Sequence, residues 1–205
     1  MTEAADGAAI PAAIDWDKAG GLVPAVVQDA RTLRVLMLGY MDRAALDATL
    51  SSRRVTFFSR SKGRLWTKGE SSGHYLDLVS VDVDCDRDTL LVLAHPRGPT
   101  CHLQRGSCFP SAPGATLAEL SALVETRAAE KPEGSYTTKL FDAGVRRIAQ
   151  KVGEEGVETA LASVAQDDDA LLGEAADLVF HLLVLLRARG LGLEDVEAKL
   201  RTRRR

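Results

Sequence analysis

The chain has too few cysteines for a disulfide framework, no apolar run long enough to span a membrane and no excess of positive charge. Its longest apolar run, 182–186 with 178–180 just before His181, is far shorter than the roughly 18 residues that a span requires. The 26 basic and 29 acidic side chains leave a net charge of -3, which argues against a broad nucleic-acid-binding surface. The basic ending Arg201-Thr202-Arg203-Arg204-Arg205 reads as a solvated tail. The first twenty residues are acidic and lack a basic region followed by an apolar core, so no secretory signal is read and a reducing cytoplasm is expected. No internal repeat is evident. What is present, 45% hydrophobic and 27% charged residues, describes a soluble globular protein of one or two domains.

The three cysteines, Cys85, Cys101 and Cys108, suggest a metal site by their number and spacing. A structural zinc site closes with four protein ligands, whereas a catalytic one keeps three and leaves the fourth position to water, whose pKa then falls toward about 7. Three thiolates point to hydrolytic chemistry. The acidic run Asp84-Cys85-Asp86-Arg87-Asp88 fails as a calcium loop, because Thr89 stands where glycine is needed and His95 where the bidentate glutamate belongs.

Two halves differ in hydrophobic period. In the first, 26–27, 35–38, 55–59, 76–88 and 90–94 read as strands. A period of two over 76–88 places Val79, Val81, Val83 and Cys85 on one face, opposite Asp82, Asp84, Asp86 and Asp88. The turn-rich stretch Phe109-Pro110-Ser111-Ala112-Pro113-Gly114-Ala115 suits a linker, and Thr116 with Glu119 forms a capping box. The second half predicts helices over 117–130, 136–165, 168–189 and 193–202. The expected architecture is α+β: a β-rich domain over 1–109, a linker over 110–116 and an all-α bundle over 117–205.

Glu154, Glu155 and Glu158 fall within an arc of about 100° on the second helix, and Glu174 and Asp177 form a similar pair on the third. The third helix is apolar nearly all round, so carboxylates flanking it need partners. Four inward carboxylates, Glu155, Glu158, Glu174 and Asp177, suit a hard cation such as Mg²⁺, which carries phosphates with it. Lys139, Arg146, Arg147 and Lys151 are placed to bind further phosphate oxygens. The chemistry expected is metal-assisted attack of water on a phosphate chain.

Val27-Gln28-Asp29, Ser59-Arg60-Ser61, Leu65-Trp66-Thr67-Lys68-Gly69-Glu70-Ser71-Ser72-Gly73-His74, the acidic run around Cys85, Cys101-His102 and Gly106-Ser107-Cys108-Phe109 closely resemble phosphoribosyl-AMP cyclohydrolase. Gly134-Ser135-Tyr136-Thr137, Lys151-Val152-Gly153-Glu154-Glu155-Gly156-Val157-Glu158 and Glu174-Ala175-Ala176-Asp177 resemble phosphoribosyl-ATP pyrophosphohydrolase, whose glutamate pattern is shared with MazG-type nucleotide pyrophosphatases. Together they resemble the bifunctional enzymes of histidine biosynthesis.

The resemblance implies that the C-terminal half hydrolyses phosphoribosyl-ATP and that the N-terminal half opens the adenine ring of the product with zinc-activated water. It implies Zn²⁺ on Cys85, Cys101 and Cys108, one thiolate being supplied across a homodimer interface. It also implies Mg²⁺ on Asp84, Asp86 and Asp88, and phosphate or ribose contacts from Ser59, Arg60, Lys68, Glu70 and Ser71. His74 and His102 are the expected proton carriers, since neutral imidazole accepts a proton near pH 7. Phosphoribosyl nucleotides are the expected partners, with neither nucleic acid nor membrane. A zinc nucleobase deaminase is a poorer match, because its His-x-Glu and Cys-x-x-Cys pattern is missing: six residues separate Cys101 from Cys108. A structural zinc module joined to a helical interaction domain would need a fourth ligand, and would leave the four carboxylates unexplained.

Overall fold

The computed structural model describes residues 10–203, which fall into two compact units divided between Ala115 and Thr116. The first carries α1 (Ile10–Ala13), β1 (Val23–Asp29), β2 (Val35–Met41), α2 (Arg43–Ser52), β3 (Thr56–Ser59), β4 (Arg64–Thr67), β5 (Leu76–Val83) and β6 (Leu90–Pro96). Alternation along β1 buries Val23, Ala25 and Val27, and on β6 it buries Leu90, Val92 and Ala94. The two strands pair in parallel, with β2 and β5 antiparallel on the outside in the order β2-β1-β6-β5. β3 and β4 form a separate antiparallel hairpin. The core is completed by Trp16, Met41, Leu46 and Phe57.

The first half reads in sequence as strands and short helices, and helix α2 is one such helix, lying between the strands expected over 35–38 and 55–59. It begins at Asp42, whose side chain accepts from the Ala45 N–H at 2.7 Å, and it ends at Arg53 in the left-handed region, φ 58°. The single alternating strand expected over 76–88 is corrected. A bulge between Leu78 and Ser80 shifts the register, so Leu76, Leu78 and Val81 are buried while Val79 is exposed. The strand stops at Val83 because Asp84 Oδ1 accepts the backbone N–H groups of Asp88 and Thr89, each at 3.0 Å. That side chain offers the backbone an alternative to the ladder. Cys85 and the aspartates therefore lie on a turn and not on two faces of one strand.

The second unit holds α3 (Thr116–Glu130), α4 (Tyr136–Ala143), α5 (Val145–Ala165), α6 (Asp168–Ala188) and α7 (Leu193–Thr202). The helix expected over 136–165 is two, because Gly144 takes φ 83° and ψ 171°, a backbone conformation suited to glycine. Asp167 caps α6 by accepting from the Ala170 N–H at 2.9 Å, so α5 and α6 pack as a hairpin with a very short turn. Val124, Leu140, Ile148, Leu183 and Val184 form the core.

Candidate active sites

In the first unit the chain after β6 returns toward β2. Ser107 Oγ donates to the Val35 carbonyl at 2.7 Å, and the Cys108 N–H donates to the Leu36 carbonyl at 2.8 Å. The Cys101 N–H closes a tight loop on the Arg105 carbonyl at 2.9 Å. Cys101, buried, and Cys108, exposed, thus face one pocket of about 280 Å³, which is also lined by Trp66, Lys68, Ser71, His74 and His102. Loss of solvent, then the adjacent Cys101 thiol, pushes the Cys108 thiol up.

Lys68, 8% exposed, donates from Nζ to the His74 carbonyl at 3.0 Å, and burial lowers its pKa. His74 is held closely. Its N–H donates to Ser72 Oγ at 3.2 Å, and a Cβ on Gly98 would lie 2.9 Å from its ring. A Cβ on Gly69 would lie 2.5 Å from its backbone. His102 is exposed, with Nδ1 4.0 Å from Cys101 Sγ. Cys85 lies on the turn after β5, exposed and outside the pocket lining.

The expected sugar and phosphate contacts are on or near the β3–β4 hairpin. Arg60 stacks its guanidinium 3.8 Å over the Tyr40 ring, and Ser59 Oγ lies 3.4 Å from Ser61 Oγ. Glu70 pairs with Arg64 at 2.7 Å, and that hydrogen bond holds its carboxyl below the usual range.

Oxygens of Asp84, Asp86 and Asp88 converge within 4.8 Å of one another, a donor set that fits a hard cation. The cation found there is the ammonium of Lys18, 2.6 Å from Asp86 and 2.7 Å from Asp88. These two carboxylates hold the ammonium well above the usual lysine range. A divalent ion would have to displace it. Lys18→Met is therefore expected to bind Mn²⁺ at this turn several-fold more tightly by calorimetric titration in a Glu158→Gln background, and an unchanged affinity would mean that Lys18 does not occupy the ion's place.

In the second unit Glu155 and Glu158 stand one turn apart on α5 and Glu174 faces them from α6, with ligand oxygens of all three within 4.8 Å of one another. Glu155 is 4% exposed, and the Lys151 ammonium at 2.7 Å keeps its carboxyl below the ordinary range. Partial loss of solvent, then the charges of Glu155 and Glu174, push the exposed Glu158 the other way. The cluster carries more negative charge than Lys151 balances, which fits a divalent cation. Asp177 is exposed and lies outside this group of oxygens. Lys151 is engaged by Glu154 and Glu155, whereas Lys139 is exposed on α4. Lys18, Tyr136 and His181 are site neighbours that sequence reasoning missed. For His181 a signal existed, since it is the one polar residue in the run 178–186.

Two family profiles match the chain: phosphoribosyl-AMP cyclohydrolase over residues 37–110 and phosphoribosyl-ATP pyrophosphohydrolase over residues 117–204. The histidine biosynthesis bifunctional protein HisIE of Xanthomonas axonopodis pv. citri (strain 306) is 69% identical over 192 residues, covering 94% of this chain and 93% of that protein. Its namesake in Escherichia coli (strain K12) is 56% identical over 192 residues, covering 93% and 95%.

Proposed function

The chain belongs to the bifunctional histidine-biosynthesis family that joins a phosphoribosyl-AMP cyclohydrolase to a phosphoribosyl-ATP pyrophosphohydrolase, and from that premise we propose a residue-level assignment of both reactions. The C-terminal part hydrolyses phosphoribosyl-ATP to phosphoribosyl-AMP and pyrophosphate. The N-terminal part opens the adenine ring of that product. Chain order is thus the reverse of reaction order. The domains are 1–109 and 117–205, joined by a linker over 110–116.

For ring opening, Cys101 and Cys108 would hold Zn²⁺ together with Cys85 of a second copy. The separation of Cys85 from the pocket supports the shared site. Zinc, when bound, supplies a Lewis acid that makes water acidic near neutral pH. His74 or His102 accepts the proton as the water oxygen bonds to the purine carbon beside the phosphoribosylated nitrogen. The carbon–nitrogen bond then breaks and the departing nitrogen takes a proton. Asp84, Asp86 and Asp88 would hold Mg²⁺ in the place that the Lys18 ammonium occupies, and Ser59, Arg60, Lys68, Glu70 and Ser71 would contact the phosphates and ribose.

For pyrophosphate release, Glu155, Glu158 and Glu174 hold Mg²⁺, with Asp177 as the fourth carboxylate. Magnesium, when bound, neutralises the phosphate chain under attack. Lys139 and Lys151 face the remaining phosphate oxygens, and Glu155 and Glu158 orient the water. The observation that carries this reading is the three-carboxylate convergence across α5 and α6 beside a buried apolar core.

A homodimer is further supported by Val157, Leu161 and Val164, which are 60%, 56% and 82% exposed at helical spacing along α5. None of the described helices is long and apolar enough to cross a membrane, in keeping with a cytoplasmic location. The direct test incubates the zinc-loaded protein with phosphoribosyl-ATP and Mg²⁺. Pyrophosphate release followed by a change in purine absorbance is expected. Absence of the second signal when phosphoribosyl-AMP is supplied would overturn the cyclohydrolase assignment.

A further inference from the structure

His181 has no assigned role, yet it is 4% exposed in the middle of α6 and both of its ring nitrogens are engaged. Nδ1 lies 2.8 Å from the Asp177 carbonyl oxygen, one helical turn back. A carbonyl only accepts, so Nδ1 carries the hydrogen. The same nitrogen is 3.7 Å from Glu155 Oε1 on the facing helix. Nε2 lies 3.0 Å from the Tyr136 hydroxyl, which donates to it when the ring is neutral. Tyr136 opens α4 directly after the cap Ser135, whose Oγ accepts from the Thr138 N–H at 3.3 Å.

Ring packing fixes the imidazole further. Phe180 meets it edge-on at 5.2 Å and Tyr136 meets it edge-on at 6.0 Å, while Tyr136 and Phe180 stack at 6.2 Å. If filling space were all this position did, a leucine like its neighbours would serve, without two polar atoms to satisfy in an apolar run.

We propose that Tyr136 and His181 are positioning residues of the pyrophosphohydrolase reaction: the tyrosine hydroxyl holds the imidazole so that its Nδ1–H is directed at the turn of α6 carrying Asp177 and at the Glu155 carboxylate. The Glu155 carboxylate on α5 is thereby kept in one place against the α6 backbone before the phosphate chain arrives. This rests on the reading of Glu155, Glu158, Glu174 and Asp177 as the magnesium site. Loss of a group that orients metal ligands typically costs about 10- to 100-fold in metal affinity or activity. A hydroxyl important only for packing would shift stability and leave the Mg²⁺ dependence alone.

The test uses the full zinc-loaded chain and the variants Tyr136→Phe, His181→Asn, His181→Leu and Glu155→Gln. Tyr136→Phe is expected to raise the Mg²⁺ concentration for half-maximal pyrophosphate release about tenfold, and to weaken Mg²⁺ binding similarly in calorimetry without substrate. Opening of supplied phosphoribosyl-AMP is the internal control and is expected at the wild-type rate. His181→Asn keeps a donor close to the position of Nδ1 and is expected to retain more Mg²⁺ affinity than His181→Leu. With only 4 histidines in the chain, ¹⁵N spectra of the metal-free protein resolve the His181 ring, whose signals are expected to move in Tyr136→Phe. Wild-type Mg²⁺ dependence and unmoved ring signals in Tyr136→Phe, with Glu155→Gln inactive, would overturn the positioning pair alone. Wild-type pyrophosphate release by Glu155→Gln would overturn the magnesium-site reading on which it rests.

Discussion

Replacing Glu158 by glutamine is expected to lower pyrophosphate release by about 100-fold or more while leaving the opening of supplied phosphoribosyl-AMP unchanged. The substitution nearly preserves shape and removes one charge from the group formed with Glu155 and Glu174. It also separates metal binding from folding. Partial loss of solvent and the two neighbouring charges raise the Glu158 carboxyl above its ordinary value of 4.5, so the folded metal-free protein holds this proton more tightly than the unfolded chain does. Below about pH 4 the carboxyl is protonated both folded and unfolded, and no penalty exists. As pH rises past that value the unfolded chain ionises first, and the penalty grows until the folded carboxyl ionises too. Glu158→Gln is therefore expected to melt higher than the wild type in metal-free buffer near pH 7 and to lose that advantage near pH 4. Mg²⁺ should raise the wild-type melting temperature by more than that of the variant, in which the aspartate turn is the carboxylate group left intact. Pyrophosphate release at the wild-type rate would remove Glu158 from the site and make the glutamate row a solvated helix face.

Cys101→Ser is expected to abolish ring opening and zinc retention while pyrophosphate release continues, so that phosphoribosyl-AMP accumulates. Serine fits the buried position of Cys101 but is a poor ligand where zinc is bound by thiolates. Cys85→Ser should have the same effect, although Cys85 stands outside the pocket that holds Cys101 and Cys108. Mixing the two inactive proteins distinguishes a shared site from a local one. A hybrid dimer contains one site with all three thiols intact, and ring opening should reappear on subunit exchange. Failure of exchanged dimers to recover activity would show that Cys85 is not a ligand in trans, and full activity of Cys101→Ser would overturn the zinc assignment itself.

The two-part organisation was legible because hydrophobic period is a local property of the chain. The apolar segment at 35–38 and the helical spacing through α5 and α6 are visible without tertiary contacts. Where local polar chemistry competed with the pattern, the reading failed. Asp84 captures two backbone N–H groups and ends β5 early, and Gly144 divides a helix whose apolar spacing continues past it. The place of helix α2 escaped because its few apolar positions are spread among polar ones and its cap, Asp42, depends on backbone geometry.

The chemical types of the site were determined by sequence alone: thiols at 85, 101 and 108, an acidic triplet, and glutamates one helical turn apart. Residue identity and short spacing are enough to specify donor softness and charge. Only the tertiary structure decided which of these groups meet. Cys101 joins Cys108 while Cys85 stays apart, Lys18 reaches Asp86 from 68 residues away, and His181 links Tyr136 on α4 to Asp177 on its own helix and approaches Glu155 on α5. Such meetings depend on strand register, helix breaks and loop return, which arise from packing across long sequence separations and leave no periodic trace in the chain.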